Sequence, residues 1–358
     1  MSIKLLHLSD IHFKHYGANE VLDLDSDLRN ELEIDLKKLV VDIGTLDIIL
    51  VGGDIAFSGS VSEYNEAQIW LSKLCKIAGN QEENVLTIPG NHDVDRNKIC
   101  PILKVVQSNL KSLVERGIID VKLSGMFNSE ESKATLMKTF TNYENFALRY
   151  GSIPDRNNGL YWEKDFKIKR NILRIRGINS AIVSNNDDDE HTSKLFLGSV
   201  QTQLQRHDGI FYLVLCHHPP QWLYDNDEVD TDLTNRARLQ LFGHKHKFNA
   251  VQMNQSLRLS AGAVQPPKHE KNWDPRYNII EIDVEEKTKG EKILVVKIWK
   301  RIWNKQNSKF NAESTNGELF ERFTLTLDEV EKRDAYAEDE TAETQPLINN
   351  TPQVDTME

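Results

Sequence analysis

The chain has 358 residues, 39% hydrophobic and 28% charged, with a formal net charge of −11 and three cysteines. That suits an ordinary globular protein with material for one large domain or two modest ones. It excludes a membrane span, since no apolar run is long enough, and a disulfide scaffold, since Cys75, Cys100 and Cys216 are too few and too scattered.

Residues 1 to about 100 alternate strand, helix, strand, helix, strand. The N-terminus runs directly into an apolar strand with no secretory leader, so a reducing cytoplasm is the expected location. A helix near 26–43 places Leu28, Leu32, Leu36, Leu39 and Ile43 on one stripe, and a second near 62–78 starts at a Ser62 cap and carries Ala67, Leu71, Leu74 and Ala78. Strands this apolar, separated by helices, predict a largely parallel sheet covered on both faces. Residues 98–150 break the rhythm and read as two helices, around 102–116 and 132–150, standing over the end of the preceding strand as a lid or specificity wall.

From about 160 short strands dominate, at 172–178, 211–216, 239–242, 257–259, 277–282, 293–303 and 320–327, enough for a second sheet packed on the first. Residues 328–358 hold ten acidic and two basic side chains, so most of the negative charge belongs to this tail. With little to bury, the tail is expected to be disordered, and it says little about the ligand of residues 1–327.

Five apolar runs end in metal-binding side chains: Asp10-Ile11-His12, Gly53-Asp54, Gly90-Asn91-His92-Asp93, His217-His218 and Gly243-His244-Lys245-His246. Ligands collect outside the carboxyl ends of strands in open α/β sheets. In Asp10-Ile11-His12 and His244-Lys245-His246 the polar residues are two apart, which in extended backbone puts them on one face. The preceding glycines allow sharp turns and close approach of backbone to an ion. Carboxylate, carboxamide and imidazole without thiolate suit manganese first, then iron or zinc. Six or seven candidate ligands are too many for one tetrahedral ion and fit two, which would clamp a phosphoryl group and acidify a bridging water.

In this order the blocks resemble the calcineurin-like metallophosphoesterase superfamily, over residues 4 to about 265. The resemblance implies a sandwich of two mixed sheets flanked by helices, with 98–150 as a helical insertion and 266–327 as C-terminal strands of one catalytic domain. It makes Asp10, His12 and His246 ligands of one metal, Asn91, His217 and His244 ligands of the other, and Asp54 the bridge. His92 becomes the group that stabilises developing charge or protonates the leaving oxygen. Asp93 is expected to orient its neighbours, and His218 to support His217. His7, His15, His191, His207 and His269 read as surface or satisfied core, and Cys216 as a buried spectator.

The protein phosphatases of the superfamily carry an acidic-Arg-Gly group after Gly-Asp, whereas this chain runs Asp54-Ile55-Ala56-Phe57-Ser58-Gly59. Without that arginine a phosphodiester is the expected substrate, a cyclic or other small nucleotide first and nucleic acid second. The segment 287–309, with eight basic residues, one acid and two tryptophans, is a candidate nucleic-acid surface or a solvent-facing edge strand kept soluble by lysine. Acidic loops at 187–190 and 225–232 favour the small substrate, the second by lying near the mouth. The insertion and the tail are the candidate surfaces for a protein partner, and a scaffold on the same fold is the minor alternative.

Overall fold

The computed structural model describes residues 1–14, 25–113, 115–154, 159–185, 195–267, 274–287, 291–315 and 317–327. The tail beyond Leu327, the acidic run 187–190, and His15, His191 and His269 lie outside the described residues.

β1 (Ile3–Leu8), β2 (Ile48–Val51) and β3 (Val85–Thr87) pair in parallel, linked by α1 (Ser26–Ile43) and α2 (Val61–Ala78). Strand alternation splits each run between two cores: Leu6 and Leu8 pack with Leu32 and Leu36 of α1, while Ile3 and Leu5 face the second sheet. Each such leucine, taken fully out of water, contributes roughly 1.5–3 kcal/mol. The start of α2 is fixed by a capping box between Ser60 and Glu63, two residues ahead of the expected Ser62.

The segment after β3 forms four helices, not two: α3 (Pro101–Lys111), α4 (Arg116–Phe127), α5 (Glu130–Met137) and α6 (Thr141–Leu148). Tyr143, Phe146 and Ala147 of α6 join the core under α2, whereas Leu103, Ile119, Leu123 and Leu136 join a core on the outer face of the second sheet. The segment therefore bridges the two helical layers alongside residues 90–95, where Asn142 donates to the Gly59 carbonyl and the Asp95 carboxylate.

β4 (Tyr161–Ile168), β5 (Asn171–Ile178), β6 (Ile210–Cys216), β7 (Ala237–Phe242), β8 (Phe248–Met253) and β9 (Ser256–Ala261) form the second sheet in the order β4-β5-β6-β7-β9-β8, with β5, β6, β7 and β9 parallel. The four-residue α7 (Ser199–Thr202) precedes β6, and α8 (Asn226–Arg236) follows it, occupying the expected acidic loop at 225–232. The loop expectation failed because α8 is polar on most of its surface and shows the core only Val229 and Leu233.

β10 (Arg276–Glu286), β11 (Lys292–Asn304), β12 (Lys309–Ala312) and β13 (Glu321–Thr326) extend the first sheet, β10 lying antiparallel to β1. β11 is neither an edge strand nor a free basic surface, because β10 pairs one side of it and β12 and β13 the other. Its cations are consumed locally. Lys297 meets Glu281, Lys300 meets Glu321, and Arg301 joins Tyr277 on the buried carboxylate of Asp35. The result is a helix–sheet–sheet–helix sandwich whose central core is built from inward-facing residues such as Leu5, Leu50, Leu213, Leu241 and Ile280. Among the described residues no helix is long and apolar enough to cross a membrane.

Candidate metal centre

All the strand-end blocks of the two parallel sets converge at the same end of the sandwich. Their backbone is not extended, as the two-residue spacing suggested. Asp10, His12, Asp54, His244 and His246 all have positive φ, between 51° and 66°, in the left-handed region. An L-residue held there costs on the order of 1–3 kcal/mol, and such strain persists only where the surroundings over-determine it. Here they do: the amides of Ile11 and His12 both donate to the Asp54 carbonyl, and that of Asp10 to the Gly53 carbonyl. Gln265 in turn donates to the Asp10 carbonyl, tying the loop after β9 to the loop after β1.

Two glycines are required by contact. Gly53 has φ +92°, and a Cβ there would lie 2.6 Å from Nδ1 of His217. A Cβ on Gly90 would collide with the Asp54 carboxylate.

The ligand-type atoms of Asp10, His12 and His246 lie within 4.8 Å of one another, as do those of His217, His218 and His244. Asp10, Asp54 and His217 form a third such group that joins the first two, and His12, Asp54 and His92 a fourth. Asp54 Oδ2 is 3.2 Å from His217 Nε2 and 3.4 Å from His12 Nε2, and Asp10 Oδ1 is 3.3 Å from His246 Nε2. Four of these buried atoms, Asp10 Oδ1, His12 Nε2, His217 Nε2 and His244 Nδ1, have no hydrogen-bond partner. Buried polar atoms are normally satisfied, and four orphans distributed over linked groups of ligand-type atoms fit divalent cations.

The other ring nitrogens are committed. Nδ1–H of His217 donates to the Gly52 carbonyl at 2.8 Å, and that of His12 approaches the Gln265 carbonyl at 3.4 Å. Each bond selects the tautomer that leaves Nε2 as an acceptor for metal. Nδ1–H of His92 donates to the Phe57 carbonyl at 2.8 Å, so its Nε2 is free on a half-buried ring beside His12 and Phe57. Asn91 is drawn in through its Oδ1, 3.1 Å from His218 Nε2, while Ser180 Oγ holds His218 Nδ1 at 2.8 Å. His218 thus touches Asn91 directly, a closer involvement than the support of His217 expected for it.

Electrostatics follow from this packing. Burial pushes His217 down, but the Asp54 and Asp10 carboxylates outweigh it and hold the imidazole up at about 9. Asp54 stays well below the usual carboxylate range despite burial, through His217 and His12, and Asp10 does so through His246. His244 falls to about 3 by burial and the charge of His217. Burial also lowers His92, with smaller contributions from His12 and Arg96. Asp93 orients its neighbours as expected, accepting from the amides of Ile55, Ala56 and Gly90 and from the Tyr64 hydroxyl. Burial and the charge of Asp54 raise it to about 6.

Cys216 is a buried spectator, its thiol pushed up to about 12 by burial. His7 is neither surface nor satisfied core, for it is 1% exposed and both ring nitrogens lack partners. Ser9, which donates to Asp10 Oδ2 at 2.6 Å, was missed, as were Ser180, Phe57 and Trp222, whose ring centroid lies 4.0 Å from that of His244. Only Ser9 carried a signal, its adjacency to the Asp-x-His block.

Residues 3–248 match the family model for calcineurin-like phosphoesterases. This chain belongs to that family. A curated relative, an uncharacterized metallophosphoesterase-like protein, YydB, of Bacillus subtilis (strain 168), is 24% identical over 332 residues, 86% of this chain; the chain spans 62% of that relative's length. Among solved structures, the purple acid phosphatase PPD1 of yellow lupin is similar at 11% identity and a TM-score of 0.46, covering 91% of this chain and 54% of its own. Vps29 of Chaetomium thermophilum is similar at 10% identity and a TM-score of 0.35, covering 90% of this chain and 98% of its own.

Proposed function

We propose that the chain is a binuclear metal-dependent phosphodiesterase, with manganese the first candidate metal, and that Asp10, His12 and His246 hold one ion, Asn91, His217 and His244 the other, and Asp54 both. The observation that carries this is the set of four orphaned buried ligand atoms, in two triads joined through Asp10 and Asp54. When bound, two divalent ions supply Lewis acidity toward the phosphoryl oxygens and lower the pKa of an attacking water.

The chain's own residues do the rest. Gly52 and Gln265 carbonyls fix two histidine tautomers, and His218, clamped by Ser180, positions the Asn91 carboxamide. His92 presents Nε2 on the open side, where the imidazolium form, its Nδ1–H kept on the Phe57 carbonyl, would give the Nε2 proton to the departing alkoxide and leave the neutral ring. A diester is favoured over a monoester because the turn after Asp54 runs Ile55-Ala56-Phe57-Ser58-Gly59 and carries no guanidinium to grip a dianion. Phe57 is 46% exposed beside His92 and offers the ester an apolar rim. A scaffold on this fold would not require the full set of ligand and proton-donor side chains present here.

The test is a manganese-supplemented panel of bis(p-nitrophenyl) phosphate, p-nitrophenyl phosphate and cyclic nucleotides. Diester turnover exceeding monoester turnover, and lost in Asp54→Ala, is the expected result. Preferential monoester turnover would overturn the diester reading, and undiminished turnover in Asp54→Ala the metal mechanism.

A further inference from the structure

A groove of about 540 Å³ opens beside two of the ligand-bearing loops. It begins at Pro219, just after His217 and His218, and at Lys245, between His244 and His246, and runs across β8 and β9 past Lys247, Phe248 and Val251. No acidic residue lines it. Lys245 is exposed and, among the described residues, reaches only the Gln221 amide oxygen, at 3.4 Å. Lys247 is exposed and forms no ion pair with any described residue, whereas Arg258, deeper in, is held by Asp230 and Gln240. Val251 and Met253, on the same face of β8 as Asn249, supply apolar surface to the groove, and Phe248 lines its edge.

The acidic run at 225–232 had argued against a polyanion at this mouth. The structure turns three of its five acids inward or neutralises them. Asp225 accepts from the amides of Leu197 and Gly198, Asp230 pairs with Arg258, and Asp232 pairs with Arg116 and Thr202. Among the described residues the two lysines therefore face the groove without an ion-pair partner.

Unpaired cations spaced along an open apolar channel are how proteins follow a nucleic-acid backbone, the cations meeting phosphates and the apolar surface meeting bases. We propose that this groove is a strand-binding subsite, taking the next phosphate and base of a linear single-stranded oligonucleotide whose scissile diester lies over the metal centre. The assignment rests on the phosphodiesterase reading and narrows its substrate class, because a cyclic mononucleotide has no second phosphate to place against Lys245 and Lys247.

The test uses two probes, with the full chain in manganese. Anisotropy of a fluorescein-labelled, phosphorothioate-linked hexathymidylate reads strand binding independently of hydrolysis, and the kcat/KM ratio of hexathymidylate to bis(p-nitrophenyl) phosphate reads specificity. Lys247→Ala, an exposed change, is expected to weaken strand binding, lower that ratio, and reduce the slope of log K against log salt by about one. Lys247→Glu should do more. Lysine-dependent strand binding by a protein that turns over neither substrate would leave the groove assignment standing and remove the phosphodiesterase reading. Turnover of the aryl diester without lysine-dependent strand binding, or an equal loss on both substrates, would overturn the groove assignment.

Discussion

Two sets of buried polar atoms without hydrogen-bond partners come within three residues of each other along the chain, at His7 and Asp10, and they behave differently. At the strand ends, Asp10 Oδ1, His12 Nε2, His217 Nε2 and His244 Nδ1 converge on shared triads of ligand atoms. Just upstream in β1, His7 also has both ring nitrogens orphaned, but it belongs to none of those triads and lies on the strand face that carries Ile3 and Leu5 into the central core. An isolated orphan is a cost to the fold; several that share one space form a site.

The largest expected difference is functional. Asp54→Ala or His217→Ala should reduce metal-dependent diester turnover to background, while His7→Leu should retain it; turnover surviving in either of the first two would dissolve the distinction. Next comes acid stability. Burial lowers His7 to about 4 in the folded protein, and Asp10 only partly opposes this, against about 6.5 when unfolded. Between those values the unfolded chain binds more protons, so stability falls as pH falls. In chelator-treated protein, His7→Leu should remove up to about 3 kcal/mol of that loss by pH 4, read from denaturant midpoints at each pH. Parallel pH curves for the two proteins would contradict the assignment.

Within the cluster, the free Nε2 of His92 separates proton transfer from metal binding. His92→Ala should keep its metal content but slow poor leaving groups by roughly a hundredfold, and good ones far less. Equal slowing across a leaving-group series would rule out the acid role. The smallest effect concerns support. Ser180→Ala removes the hydroxyl that holds His218 against Asn91, and should weaken metal affinity roughly tenfold by titration, as changes beyond the ligands themselves do. Unchanged affinity would mean that His218 is held well enough by its packing.

The same contrast between location and availability explains what was legible in the sequence. Asp, Asn and His after apolar runs were visible because strand, glycine and ligand are adjacent in the chain. The left-handed backbone at Asp10 and His12 was not, because it is held by hydrogen bonds with loops distant in sequence. The basic residues of β11 looked available and are consumed by Glu281, Glu321 and Asp35, whereas Lys247 gave no signal of its own and faces an open groove. β4 was missed because its outer positions, including Glu163 and Asp165, are polar partners of Arg176 and Arg174 on β5. Ser180 lies 89 residues from Asn91 and reaches it only through His218, just past the end of β6.

The central claim is a two-ion site built from seven ligands, and metal stoichiometry tests it most directly. Protein loaded with manganese and freed of excess should carry two ions per chain by elemental analysis, and Asp54→Ala should lose both the stoichiometry and diester turnover together. One ion or none per chain in a wild-type protein whose turnover is unaffected by chelator would contradict the account.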